Sequence, residues 1–119
     1  MPRDKFQTLT EQMFYILLCL QQECCGVDIM DKIRKITSGR VVVGPGTLYS
    51  LLASFQKSDM ITETSVDGRK RWYILTDKGM ELLYEEYSRI TLQARDYEAI
   101  IGYQKNNKMP IESNIGVVK

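Results

Sequence analysis

Seven apolar residues near the C-terminal end, Met80, Leu83, Tyr87, Ile90, Ala94, Tyr97 and Ile101, are separated by 3, 4, 3, 4, 3 and 4 positions. That alternation is the a/d repeat of a helix whose one seam stays against a neighbouring helix. A helix over 77–104, about 28 residues, is about 42 Å long at 1.5 Å per residue, more than one small domain can cover with its own core. Part of the seam is therefore expected to meet a second copy of the chain. Everything else must fold within 1–76, because 105–119, rich in Lys, Asn and Gly and containing Pro110, has no periodicity and is expected to be a mobile tail.

Within 1–76 the periodicities change several times. Thr10 is placed to cap a first helix in which Met13, Ile16, Leu17 and Leu20 fall on one face. Gly26 interrupts that pattern. Ile29, Ile33 and Ile36 then predict a second helix over 27–37, stopped by Ser38 and Gly39. The β-branched run 40–43 predicts a short strand, and Gly44-Pro45 restarts a helix over 45–58 that buries Leu48, Leu52 and Phe55. Beyond Met60, 61–66 and 69–75 flank Asp67-Gly68, a dipeptide suited to the positive φ angles of a type I′ turn, so a β-hairpin is expected. Thr76 is then positioned to cap the long helix, with Asp77 at its positive end.

The order helix, helix, short strand, helix, hairpin, long helix is that of a winged helix-turn-helix followed by an appended helix. The fold class is thus α+β, mainly α, with 1–76 as the winged module and 77–104 as a dimerisation helix. Such a module lays one helix in the major groove of a duplex while a basic hairpin and the preceding helix touch phosphates.

Gross charge does not announce a polyanion partner, since the chain carries a net charge of only +1. Its distribution is more informative. Lys32, Arg34, Lys35 and Arg40 occur with no acid among 32–40, and Arg69, Lys70 and Arg71 sit at the hairpin tip, whereas acids dominate 79–104. The two ends are expected to differ in potential, with one basic patch near each of two DNA backbones.

Enzymatic chemistry finds little material. There is no histidine, no phosphate-binding glycine loop and no metal-ligand cluster, and the acids of the long helix read as a solvated face. No cofactor or metal is expected. The three cysteines, Cys19, Cys24 and Cys25, are too few and too close for a disulfide framework, and reduced, partly buried thiols are expected, with oxidation sensing by Cys24 and Cys25 as the sharper alternative. Without a signal-like start or an apolar run long enough to span a bilayer, the expected compartment is the cytoplasm, with no membrane contact.

Gly46-Thr47-Leu48-Tyr49, which opens the third helix, followed by Trp72-Tyr73-Ile74-Leu75-Thr76 and Gly79, resembles the PadR family of transcriptional regulators over about 9–101. The resemblance is to the short subfamily with a single C-terminal helix. It implies a homodimer, commonly a repressor on a palindromic operator in double-stranded DNA, that releases DNA when an aromatic or lipophilic compound binds. It also implies that Thr47, Tyr49 and Ser50 face DNA and that Arg69, Lys70 and Arg71 form the wing contact. Tyr87 matches a dimer-centre aromatic on which flat ligands stack in some members, with Ile90, Thr91 and Ala94 beside it and Met13 and Phe14 as the opposing wall. This chain departs from the family pattern where basic residues are usual, having Ala53, Ser54 and Ile74. Each lost phosphate contact lowers the salt dependence of binding by a slope of about 0.9. A winged-helix adaptor for other proteins, with little specific DNA binding, is the alternative those departures leave open.

Overall fold

The computed structural model describes residues 8–107, in the order α1 (Glu11–Cys19), β1 (Cys24–Cys25), α2 (Gly26–Ile36), α3 (Pro45–Lys57), β2 (Ile61–Asp67), β3 (Lys70–Leu75) and α4 (Asp77–Asn107). Two compact units divide the chain after Glu86, so the first turns of α4 belong with the winged module and the second unit begins at Tyr87.

Local signals set most helix ends. The Thr10 hydroxyl accepts the Met13 amide at 3.2 Å and starts α1, which buries Ile16, Leu17 and Cys19. Both α2 and α3 stop in the same way. The Gly39 amide bonds the Arg34 carbonyl at 2.8 Å and the Ser38 amide bonds Lys35, while Met60 bonds Phe55 at 2.8 Å and Asp59 bonds Gln56. These paired bonds are Schellman caps, which need a left-handed residue just beyond the helix, and here Ser38 (φ 53°) and Asp59 (φ 65°) take the place usually filled by glycine. Between them Leu48, Leu52 and Phe55 of α3 meet Ile29 and Ile33 of α2 and Ile16, Leu17 and Leu20, all fully buried in one core.

The expected strand at 40–43 is not formed. Val41 and Val43 are buried and Val42 is exposed, so the in-out alternation is present, but the segment bonds to side chains: the Val41 amide donates to the Thr37 hydroxyl at 3.0 Å and Gln12 Nε2 donates to the Val42 carbonyl at 3.3 Å. The third strand is instead Cys24–Cys25, paired antiparallel with Tyr73 and Trp72, giving the sheet order β1-β3-β2. Two residues carry no readable period, and this strand is set by its partner.

The hairpin forms with a shifted turn. Asp67 pairs with Lys70, leaving Gly68 and Arg69 as the loop, and only Gly68 has a positive φ (62°). Glycine first and an ordinary residue second is the type II′ sign pattern, in place of the expected I′ turn at Asp67-Gly68. One extra residue, Thr64, bulges between Glu63 and Ser65, and its hydroxyl bonds the Glu23 carboxylate.

The start of α4 is fixed to the end of α3. Thr76 donates its amide to the Met60 carbonyl at 3.0 Å and its hydroxyl to the Asp59 carbonyl at 2.7 Å, and the same hydroxyl accepts the Gly79 amide at 3.0 Å. Gly79 itself is pressed on Met60: a Cβ there would overlap the Met60 carbonyl oxygen and stand 2.9 Å from Leu75 Cδ2. Leu82, Leu83 and Glu86 follow, all buried.

In the second unit the helix runs on to Asn107, three residues past its expected end at 104 and into the segment expected to be a mobile tail; 108–119 lie outside the described residues. Along the predicted seam Leu83 is buried, but Met80, Tyr87, Ile90 and Tyr97 remain exposed.

The three cysteines are free thiols and all are buried. Burial pushes the Cys19 thiol up to about 11 and also raises that of Cys24, which disfavours the reactive thiolate in both. Among the described residues no helix is long and apolar enough to cross a membrane, and no group of His, Cys, Asp or Glu could hold a metal ion.

Two substitutions of opposite sign test the junction. Gly79→Ala is expected to lower unfolding free energy by about 1–3 kcal/mol, the usual range for overpacking, because the obstacle is backbone. Asp59→Gly is expected to raise it by about 0.5–1 kcal/mol by relieving a left-handed residue, since the bonds to Thr76 and Gln56 use only backbone atoms of position 59. Urea titrations of the two variants against the parent chain check both signs.

Candidate nucleic-acid interface

The third helix opens at Gly44, with Pro45 in its first turn, where a missing amide hydrogen leaves no bond unmade. Leu48 points into the core, so its neighbours Thr47, Tyr49 and Ser50 are left exposed on other sides of the helix.

Tyr49 is only 47% exposed, because its ring crosses to the first residue of α2 and lies against Gly26. A Cβ at position 26 would fall 2.8 Å from both Cε1 and Cζ of the ring and overlap the hydroxyl. The buried Gly26 is therefore the reason the ring can lie there. Beside this contact opens a cavity of about 510 Å³, lined by Cys25, Gly26 and Val27 from the start of α2, Tyr49 from α3, and Arg69, Lys70, Arg71 and Tyr73 from the wing. Burial raises the pKa of the Tyr73 hydroxyl, and the Glu63 carboxylate adds to the rise. Among the described residues no carboxylate lines the cavity. The Cys25 thiol, at one edge, points to Asp28 at 3.5 Å.

Of the residues singled out from the sequence, four meet here: Tyr49, Arg69, Lys70 and Arg71. Arg71 also bonds Glu63 at 3.0 Å across the hairpin, whereas Arg69 and Lys70 have no ion pair among the described residues. Thr47 and Ser50 are exposed on α3 but do not line the cavity.

The other basic group lies elsewhere. Lys32, Arg34 and Lys35 are exposed along α2, with Lys35 paired to Asp31 at 3.2 Å one turn before it. Arg40 turns to α1, where its guanidinium donates to Glu11 at 3.0 Å and to the Tyr15 hydroxyl at 3.3 Å. Exposed pairs of this kind contribute little to stability and are readily exchanged for another anion.

Cys25, Gly26, Val27 and Tyr73 also line the cleft and were not expected at the interface from the sequence, Cys25 being read there only as a thiol and Tyr73 only as part of a motif. Gly26 reads in the sequence only as a break after the first helix. The one signal available was a glycine opening a helix in which its flexibility is not needed, which marks close approach by another group.

The sequence profile of the transcriptional regulator PadR-like family matches residues 16–85. No curated protein sequence matches the chain. Among solved structures, a PadR-like transcription factor from Bacteroides fragilis is 26% identical, with a TM-score of 0.63 and 73% of this chain and 86% of that chain covered. A transcriptional regulator from Clostridium thermocellum, 24% identical, superimposes with a TM-score of 0.64 over 76% of this chain and 88% of that one. RosR from H. salinarum has the same fold at 18% identity, with a TM-score of 0.63 and 86% and 98% of the two chains covered. The match of that profile to residues 16–85, more than half of the chain, shows that the chain belongs to the PadR-like family of transcriptional regulators, which bind DNA and are not enzymes.

Proposed function

We propose that the protein is a homodimeric repressor that holds a near-palindromic operator in the cytoplasm and releases it when an aromatic or lipophilic compound binds. The observation that carries this reading is the convergence of Arg69, Lys70 and Arg71 with Tyr49 of α3 on a cleft that no acid lines among the described residues. In this reading α3 enters the major groove with Thr47, Tyr49 and Ser50 towards the duplex, and the wing cations hold the flanking phosphates. Lys32, Arg34, Lys35 and Arg40 run along the other backbone, Arg40 exchanging Glu11 for a phosphate.

Dimerisation is supported by the exposed part of the heptad seam. Met80, Tyr87, Ile90 and Tyr97 place large apolar surface in water on a helix that one chain leaves open, and Leu83, Ala94 and Ile101 complete the repeat. Two copies joined in this way require half-sites about one helical turn, roughly 34 Å, apart. For the effector, Tyr87, Ile90, Thr91 and Ala94 supply an aromatic and apolar surface on α4, and Met13 and Phe14 are half-buried on α1.

Fragments of the host genome retained at physiological salt identify the operator. On that duplex the slope of log affinity against log salt is expected to fall by about 0.9 for each phosphate contact removed in Arg69→Ala, Lys70→Ala and Arg71→Ala. Equal weak retention of every duplex overturns the reading and favours an adaptor. For the effector, a planar aromatic dye is expected to bind the parent protein and to bind Tyr87→Ala more weakly; a parent protein that binds no such dye removes ligand release from the proposal.

A further inference from the structure

Resting on the DNA-binding reading, we infer that the cleft between the wing and the start of α2 seats one phosphodiester of the DNA backbone, with the Tyr49 hydroxyl as a phosphate ligand held in place by Gly26. The direction of the ring is the first reason. A tyrosine that reads bases from the opening turn of a recognition helix has to project away from the protein, whereas this ring lies back across the cleft on Gly26.

Chemistry at the cleft is the second. Among the described residues its lining includes three cations and two phenols and no acid, a set that favours an anion with several acceptor oxygens. Arg69 and Lys70 have no competing carboxylate among the described residues, and Arg71 is shared with Glu63 at 3.0 Å. The cavity, about 510 Å³, has room for a phosphate with its attached sugar edges and is far larger than the hydroxyl needs for packing alone.

Position is the third. Ser50, the next residue along α3, is exposed about 100° around the helix from Tyr49, so a helix that turns Ser50 towards bases carries Tyr49 to the flanking strand. Tyr49 then contributes affinity that does not depend on sequence, and discrimination falls to Thr47 and Ser50. Gly26 is a positioning residue: it touches no DNA and acts by leaving space for the ring.

The test uses the full chain, its selected operator and an unrelated duplex of equal length. Tyr49→Phe removes one oxygen and leaves the ring on Gly26. It is expected to weaken binding to both duplexes by the same factor, about tenfold for a lost hydrogen bond to a charged group, with the ratio between them unchanged. Replacing backbone phosphates one at a time with neutral methylphosphonate is expected to find one position that matters to the parent protein and no longer matters to Tyr49→Phe. Gly26→Ala is expected to reproduce the Tyr49→Phe loss while its helix content and melting remain cooperative; if that variant does not fold, the Tyr49→Phe scan decides alone. A fall in the operator-to-unrelated ratio in Tyr49→Phe makes Tyr49 a base reader and overturns the inference, as does unchanged affinity. Displacement of DNA by inorganic phosphate at constant ionic strength, seen in the parent protein and lost in Tyr49→Phe, assigns the cleft to a free anion instead and also overturns it. A parent protein that binds all duplexes alike overturns the DNA-binding reading itself, an outcome separable from the others because it appears before any substitution.

Discussion

The carbonyl of Met60 is where the winged module is tied together. It accepts the amide of Thr76 at the close of the wing and bears directly on Gly79 in the first turn of α4, while the amide of the same residue closes the Schellman cap of α3. The backbone of one residue thus joins the helix proposed to read DNA, the hairpin and the helix proposed to make the dimer. The first turns of α4 start from this fixed point and bury Leu82 and Leu83 in the same unit as α3. Side-chain packing alone adjusts by rotamer changes; a carbonyl pressed on a glycine has no such freedom.

A second glycine does the same work at the other end of α3. Gly26 admits the Tyr49 ring as Gly79 admits the Met60 carbonyl, and both positions are buried points of close approach. They differ in what moves if a methyl group is added. At Gly79 the obstacle is main chain, so the fold is strained. At Gly26 it is the far end of a side chain that faces an open cleft, so the ring swings and the fold is retained. Stability and the proposed DNA contact are therefore separable at these two sites.

Sequence reasoning captured what periodicity encodes. Four helices, the hairpin and the winged order are legible because Ile29 and Ile33, Leu48, Leu52 and Phe55, and the seam of α4 repeat at helical spacing, and because Thr10 and Thr76 are cap residues in the right places. Its failures lie where pairing or close contact decides. Val41 and Val43 alternate as strand residues do, yet the sheet edge is taken by Cys24–Cys25, whose only qualification is lying opposite Trp72 and Tyr73. The turn moved by one residue because Asp67 still pairs with Lys70. Within the candidate interface the basic wing and Tyr49 were legible, whereas Gly26, Val27 and Tyr73 were not, since a cleft is a property of three elements brought together and no local window contains it.

The seam of α4 has more apolar surface than one chain covers. Tyr87, Ile90 and Tyr97 stay exposed on a helix with heptad spacing, and the proposed recognition of DNA by paired α3 helices depends on a second copy covering that seam. Sedimentation equilibrium of the purified chain at micromolar concentration measures this directly: the account predicts a single species of twice the chain mass, and a monomer at that concentration contradicts it.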